Sequence, residues 1–343
     1  MLRVSKRQQF FKSRQTPTQE KGMEKDIRTR ILPSEDKEGL LYADALLLAD
    51  MQVPRSDRIW LTAVPKDMRA HDFVFYLGCH VLKTTHLIET TVKILERMAI
   101  DFIAIGGPQN CCGIGDYGRG DRSQTDRTMD RLSTLVREKV LMWCPSCNFH
   151  IGRAMGDNKA ARYDIEHATK FISDHIEKIQ CKREITARVA LHCHTGSKQQ
   201  DQDAEYAEKI LRAIPGVQTV GVKALSELGR HCSNNTIEKL TQGKFLELIR
   251  DMLDEARQKK VDILATIYHG CQREVCGEES RFPIKVENYV TLLARAMGIE
   301  VEDKFKKWKL IRDPEKIIED AKDCISANNL SLDKVRATLS RNF

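Results

Sequence analysis

From residue 71 onward, short unbroken apolar runs alternate with longer stretches in which Leu, Ile and Val return every three or four positions. DFVFYLGC (72–79), DFIAIGG (101–107) and VLMWC (140–144) read as buried strands. Between them, TTHLIETTVKILERMAI (84–100) and RSQTDRTMDRLSTLVREK (122–139) carry the spacing of amphipathic helices. The rhythm then repeats. ITARVALHC (185–193), VQTVGV (217–222) and DILATIYHGC (262–271) read as strands, and DAEYAEKILRAI (203–214) and KFLELIRDMLDEARQKK (244–260) as helices. Strands alternating with helices predict an α/β fold of two similar domains, each a short parallel sheet flanked by helices. The two domains are expected at 71–182 and 183–297. Residues 1–70 form an N-terminal extension, expected to be partly flexible because its first 35 residues are polar and aperiodic. Within it, GLLYADALLLADM (39–51) predicts one apolar helix, and residues 298–343 predict a charged tail with two helices.

Composition narrows the function classes. Of 343 residues, 41% are apolar and 31% charged, which suits two domain cores and a solvated surface. No run of 18 uncharged apolar residues is present, so no membrane span is expected, and the N-terminus lacks the apolar segment of a secretory signal. A cytoplasmic location follows, with a transit peptide left open by the basic, acid-poor residues 1–18. The net charge of +7 is scattered among acids, and no nucleic-acid motif occurs. Cysteine usage changes the picture most. Eleven cysteines, odd in number and clustered, favour metal ligation over a disulfide framework.

Each predicted strand of the first half ends in cysteine: Cys79, then Cys111 and Cys112, then Cys144 with Cys147 close behind. The carboxyl ends of parallel strands form one rim, so five thiols are expected at one place. Five exceed the four that close a structural zinc site or hold an ordinary cubane. Adjacent cysteines can hardly both reach one small ion without strain, whereas they can reach two irons of an enlarged cluster. The thiol count therefore points to an unusual iron–sulfur cluster.

The arrangement C-x₃₁-CCG-x₃₀-CPSC resembles the cysteine-rich CCG domain of the B-type heterodisulfide reductase polypeptides, including their sulfur-oxidising relatives. In the second half, ALHCHTGS (190–197) and ILRAIPGVQTV (210–220) are similar to that family's DPCHLG and LRAIPGV stretches. The resemblance covers residues 72–297. It implies a non-cubane [4Fe-4S] cluster held by Cys79, Cys111, Cys112, Cys144 and Cys147. In the heterodisulfide reductases themselves, two such clusters face a cavity between the halves, where a disulfide is split. The implied function is the iron–sulfur catalytic subunit of a heterodisulfide-reductase-like complex that makes or breaks S–S bonds by one-electron steps. The implied partners are subunits resembling heterodisulfide reductase C, ferredoxin-like, and A, a flavoprotein, with a lipoyl sulfur-carrier protein as a further candidate. Alternatives are an electron-relay subunit of a lactate or glycolate oxidation complex and a zinc-stabilised scaffold.

The second half departs from this pattern. Cys193 matches the first ligand, His231–Cys232 stands in place of the double cysteine, and Cys271 and Cys276 replace the terminal C-x-x-C. These four thiols are the expected second metal site, with a further iron–sulfur cluster or zinc as its occupant. His192, His194 and His231 lie nearby, and imidazole suits zinc or a [2Fe-2S] iron. Two such unequal halves put symmetrical capture of a disulfide in doubt.

One motif competes with the cluster reading. Gly113, Gly115 and Gly118 satisfy the dinucleotide fingerprint, but two cysteines intrude between strand and glycines. The better reading gives backbone amides a close approach to cluster sulfur. Cys181 and Cys324 fit no cluster pattern, while His80 and His150 are the scattered histidines closest to the predicted rim.

Overall fold

The computed structural model describes residues 37–157, 163–229 and 231–343. The expectation of a flexible arm falls mostly on residues 1–36, outside the described residues. The chain divides into two compact units, 1–44 and 45–343. Of the first, residues 37–44 open helix α1 (Lys37–Gln52), and both sheets belong to the second.

In chain order the first half runs β1 (His71–Gly78), α2 (Thr85–Arg97), β2 (Phe102–Gly106), α3 (Ile114–Gly118), α4 (Ser123–Leu135), β3 (Val136–Met142), α5 (Pro145–Asp157), β4 (Asp164–His167) and α6 (Ala168–Asp174). The second half follows with β5 (Ala187–His192), α7 (Lys198–Arg212), β6 (Val217–Val220), α8 (Asn234–Leu240), α9 (Gln242–Gln258), β7 (Ile263–Thr266), α10 (His269–Val275), β8 (Lys285–Asn288) and α11 (Tyr289–Ala296). Four tail helices close the chain: α12 (Lys304–Ile311), α13 (Pro314–Asp320), α14 (Lys322–Ala327) and α15 (Leu332–Asn342).

Both sheets are wholly parallel, ordered β2-β1-β3-β4 and β6-β5-β7-β8. The fold is thus two similar α/β domains, as the apolar rhythm predicted. Strand alternation assigns the faces. Val74 and Tyr76 join Ile103, Ile105, Val140 and Met142 on one face, covered by Met129, Leu132 and Leu135 of α4. Phe75 and Leu77 turn the other way, into a core that also contains Leu141, Trp143, Val189, Ile263 and Leu264. That core is shared by both halves. Each such buried aliphatic or aromatic side chain contributes roughly 1.5–3 kcal/mol.

The halves meet by reciprocal contacts. Helix α2, after the first strand of its sheet, packs on α11, after the fourth strand of the other. Helix α7, after β5, packs on α6, after β4. Exchanging the halves exchanges these two contacts, which is the signature of a pseudo-twofold axis. A buried bond from Thr169 to the Tyr289 hydroxyl, 2.9 Å, joins α6 to α11.

Some elements differ from the sequence expectation. VREK, read as the end of a helix, opens β3 instead, because Val136 already pairs with His71. Strands β4 and β8 were not predicted; DIEH and KVEN are short, polar edge strands with no apolar run. The tail holds four helices rather than two. Asn328, just after α14, holds the segment following α1: its amide donates to the carbonyls of Asp50 (2.6 Å) and Val53 (3.1 Å), and its side-chain oxygen accepts from Arg55 N. Further on, Leu61 pairs with Ile105 at the outer edge of β2.

Candidate metal centres at the two rims

In each sheet the first strand lies between the second and the third, so the chain crosses over and leaves a crevice at the strands' carboxyl ends. Cys79 follows β1 directly, Cys111 and Cys112 end the turn after β2, and Cys144 lies two residues past β3. Pro145 opens α5, whose first turn carries Cys147. The five residues come together. Cys79 and Cys111 Sγ are 3.9 Å apart, and the Cys147 thiol lies close enough to those of Cys112 and Cys144 for both to perturb its ionisation.

The polypeptide holds this group by its backbone. Thr128 Oγ1 (2.7 Å) and Gln124 Nε2 (3.1 Å) donate to the Cys111 carbonyl, and Thr125 Oγ1 (3.0 Å) donates to that of Cys112. With its proton so committed, the Thr125 oxygen accepts from His150 Nε2 at 3.0 Å. His150 therefore supports the cysteine turn through Thr125. The Tyr76 hydroxyl donates to the Asn110 carbonyl from below.

Two glycines shape the rim. At Gly78 (φ +77°) a Cβ would sit 3.1 Å from Cys147 Sγ and 3.3 Å from Cys144 Cβ, inside the space the thiols surround. Gly113 has φ +74°, and its Cβ would lie 2.8 Å from Thr125 N and Oγ1. Its amide donates to Cys111 Sγ at 3.4 Å. The first glycine of the fingerprint thus serves a thiol.

Electrostatics separates the five thiols. Cys144 is held below the usual thiol range by the Cys147 thiol and then by the amides of Cys147 and Ser146 at the start of α5. Cys79 and Cys112 are pushed well up, first by the Cys111 thiol. Cys147 is pushed up by Cys112 and Cys144. Crowded thiols cannot all ionise without a cation to share them, which is the condition a metal cluster satisfies. Five converging thiols and a glycine cradle that any side chain would fill fit an enlarged iron–sulfur cluster.

The second rim is built differently. His192 ends β5 and His194 lies two residues on, so strand alternation points both rings the same way. His192 Nε2 lies 3.3 Å from Cys232 Sγ, and His194 Nε2 lies 3.1 Å from Cys271 Sγ and 3.7 Å from Cys232 Sγ. All four residues are buried, and their donor atoms lie within 4.8 Å of one another. The Cys271 thiol is held well below its usual range: burial opposes this, and the Cys232 thiol and both imidazoles outweigh it. Cys232 is pushed up, chiefly by burial.

Of the second-site residues expected from sequence, the structure brings Cys232 and Cys271 into this group and leaves Cys193 and Cys276 outside it. Cys193 lies between the two histidines in sequence but is not among the four grouped donors; burial pushes its thiol up to about 12. Cys276 lies past the end of α10, 3.7 Å from the Arg273 carbonyl. His231 is not in the group; its ring edge lies beside Gly270. The His-x-His spacing was the signal available in the sequence, since i and i+2 share a face only on a strand.

The two rims correspond position by position. Tyr76 pairs with Met142 and His192 with Thr266, and each partner lies two residues before the residue preceding a helix, Cys144 or Tyr268. Counted so, Cys147 corresponds to Cys271, Gly78 to His194 and Cys144 to Tyr268. The imidazole of His194 therefore fills the space that Gly78 leaves open. Where the first rim has the thiol of Cys144, the second has a tyrosine whose hydroxyl donates to buried Asp203 at 2.8 Å.

Residues 73–152 and 189–275 each match the cysteine-rich domain CCG. The chain carries two CCG domains. Over 264 residues it is 25% identical to the D-type polypeptide of dihydromethanophenazine:CoB–CoM heterodisulfide reductase from Methanosarcina acetivorans, and equally to that from Methanosarcina mazei. Each alignment covers 71% of this chain and 64% of the relative, so the chain spans just under two thirds of those proteins. These relatives are of the D type, whereas the sequence motifs resemble the B type. Among solved structures, an aspartate racemase homologue from Pyrococcus horikoshii aligns with 73% of this chain at 10% identity and a TM-score of 0.30. Among the described residues, no helix is long and apolar enough to cross a membrane. The two CCG matches and these alignments make the chain similar to heterodisulfide reductase polypeptides.

Proposed function

We propose that the protein is the cluster-bearing subunit of a cytoplasmic heterodisulfide-reductase-like complex. Cys79, Cys111, Cys112, Cys144 and Cys147 would hold a non-cubane [4Fe-4S] cluster, which when bound supplies one-electron chemistry at a substrate sulfur. The substrate is a thiol/disulfide pair or a carrier-bound sulfur, and the reaction makes or breaks its S–S bond. The observation that carries this reading is the convergence of five thiols around the Gly78 cradle.

The chain's own residues have definite tasks in this proposal. The Gly113 amide stabilises negative charge on Cys111 sulfur, and the α5 amides do the same for Cys144. Thr125, Thr128 and Gln124 fix the turn so that both adjacent cysteines face the rim. Reductive cleavage of a disulfide consumes two electrons and two protons, so electron carriers must dock. The proposed partners are a ferredoxin-like subunit and a flavoprotein subunit, with a lipoyl carrier as a candidate sulfur donor.

Anaerobic purification followed by iron and sulfide analysis, with EPR or Mössbauer spectroscopy, tests the reading. The expected result is about four irons with an unusual cluster spectrum. Cys112→Ser is expected to abolish that spectrum. Folded protein free of iron and sulfide after reconstitution would refute the proposal.

A further inference from the structure

We infer that the second CCG domain is not a second cluster site but binds one tetrahedral zinc ion, through His192 Nε2, His194 Nε2, Cys232 Sγ and Cys271 Sγ. This inference stands independently of the first rim's chemistry.

The distances decide between one ion and a cluster. With Zn–N near ~2.0 Å and Zn–S near ~2.3 Å, a tetrahedral ion sets its nitrogen and sulfur ligands roughly 3.5 Å apart. The three N···S separations here are 3.1, 3.3 and 3.7 Å. A four-iron cluster places its ligands on separate irons and needs a wider ring of donors. A Rieske-type [2Fe-2S] centre has two histidines on one iron and two cysteines on the other. Its nitrogens and sulfurs would lie on opposite sides. In this site each imidazole instead touches a thiol, and His194 touches both. Interleaved S₂N₂ donors describe a single ion.

The surrounding residues select the tautomers a metal needs. His194 Nδ1 is 3.0 Å from the Gly229 carbonyl, which can only accept, so Nδ1 carries the proton and Nε2 presents its lone pair. His192 Nδ1 faces Met252 Sδ at 3.3 Å, a weak acceptor with the same consequence. The site is fully buried and all four coordination positions come from protein, the form of a structural site rather than a catalytic one. The position-by-position comparison gives the same answer. His194 occupies the cradle that Gly78 leaves open in the first domain, and Tyr268 replaces a thiol there.

Zinc-edge X-ray absorption on the full chain tests the assignment directly. The expected first shell has two sulfurs near ~2.3 Å and two imidazole nitrogens near ~2.0 Å. Elemental analysis of variants gives the second readout. His194→Ala and Cys271→Ser are expected to bring zinc from one ion per chain to near zero while iron is retained. Cys193→Ser and Cys276→Ser are expected to leave both metals unchanged. Should His194→Ala fail to fold, the wild-type absorption spectrum still decides. A sulfur-only shell, iron in this site, or zinc lost on Cys193→Ser or Cys276→Ser would overturn the inference. Loss of iron from the first rim alone would instead count against the proposed function.

Discussion

The two CCG domains share strand order and helix placement, yet they present different donors at matching positions. The first rim has five thiols and an open glycine cradle; the second has two thiols, two imidazoles and a tyrosine. The difference comes from a handful of side chains on an unchanged scaffold. A parallel sheet fixes where its strand ends lie, and the residues immediately beyond those ends decide which metal fits. On this view the first domain is kept for chemistry and the second for holding its partner in place.

The comparison breaks most visibly if the metals are not independent. Cys147→Ser and Cys271→Ser alter corresponding positions. The first is expected to remove most iron and spare zinc, and the second to remove zinc and spare iron, read by elemental analysis of matched preparations. Joint loss of both metals from soluble, folded variants would mean that the rims form a single centre. Because the second site is enclosed, emptying it is also expected to cost about 4 kcal/mol of stability in denaturant titrations.

A smaller effect separates the two roles available to the fingerprint glycines. Gly113→Ala forces a side chain against Thr125 at positive φ and is expected to cost about 1–3 kcal/mol and to broaden the cluster spectrum. Gly118→Ala meets nothing within 4 Å and is expected to stay within about 0.5 kcal/mol of wild type. A phosphate cradle would predict comparable sensitivity at both, and measurable nucleotide binding that Gly118→Ala weakens.

The smallest effect lies at the opposite, amino-terminal end of the first sheet. Asp101 accepts from Arg69, His71 and Arg137; burial pushes its carboxyl up, but Arg69 and His71 outweigh this and hold it down at about 2. A depressed carboxylate stabilises the fold above its unfolded value and loses that contribution as pH falls from about 4 through 2. Asp101→Asn is therefore expected to cost about 1 kcal/mol at neutral pH, limited by solvent screening, a cost that shrinks as pH falls towards 2 and vanishes below it. The second sheet offers a plainer contact, in which Asp262 accepts from Arg188 N at 2.7 Å. A cost that persists unchanged at pH 2 would show that shape rather than charge is at work.

Much of this was legible in the sequence. Unbroken apolar runs such as FVFYL located the central strands, and cysteines at their ends located the first rim. The polar edge strands DIEH and KVEN were not legible, because four residues without apolar alternation leave no periodic trace. The second rim was half legible. Cys232 and Cys271 stood out by spacing, but Cys193 is set between two histidines whose shared face depends on where the strand ends. Matching Cys193 to Cys79 by sequence gives one register, and the pairing of His192 with Thr266 gives another. That register, a tertiary property, decides whether the thiol or the imidazoles turn inward.

In the proposed assignment one domain holds a cluster and the other a single ion. Counting iron and zinc per chain in anaerobically purified, reconstituted wild-type protein tests it most directly. About four irons and about one zinc per chain are expected. About eight irons with no zinc would show two equivalent cluster sites and contradict it.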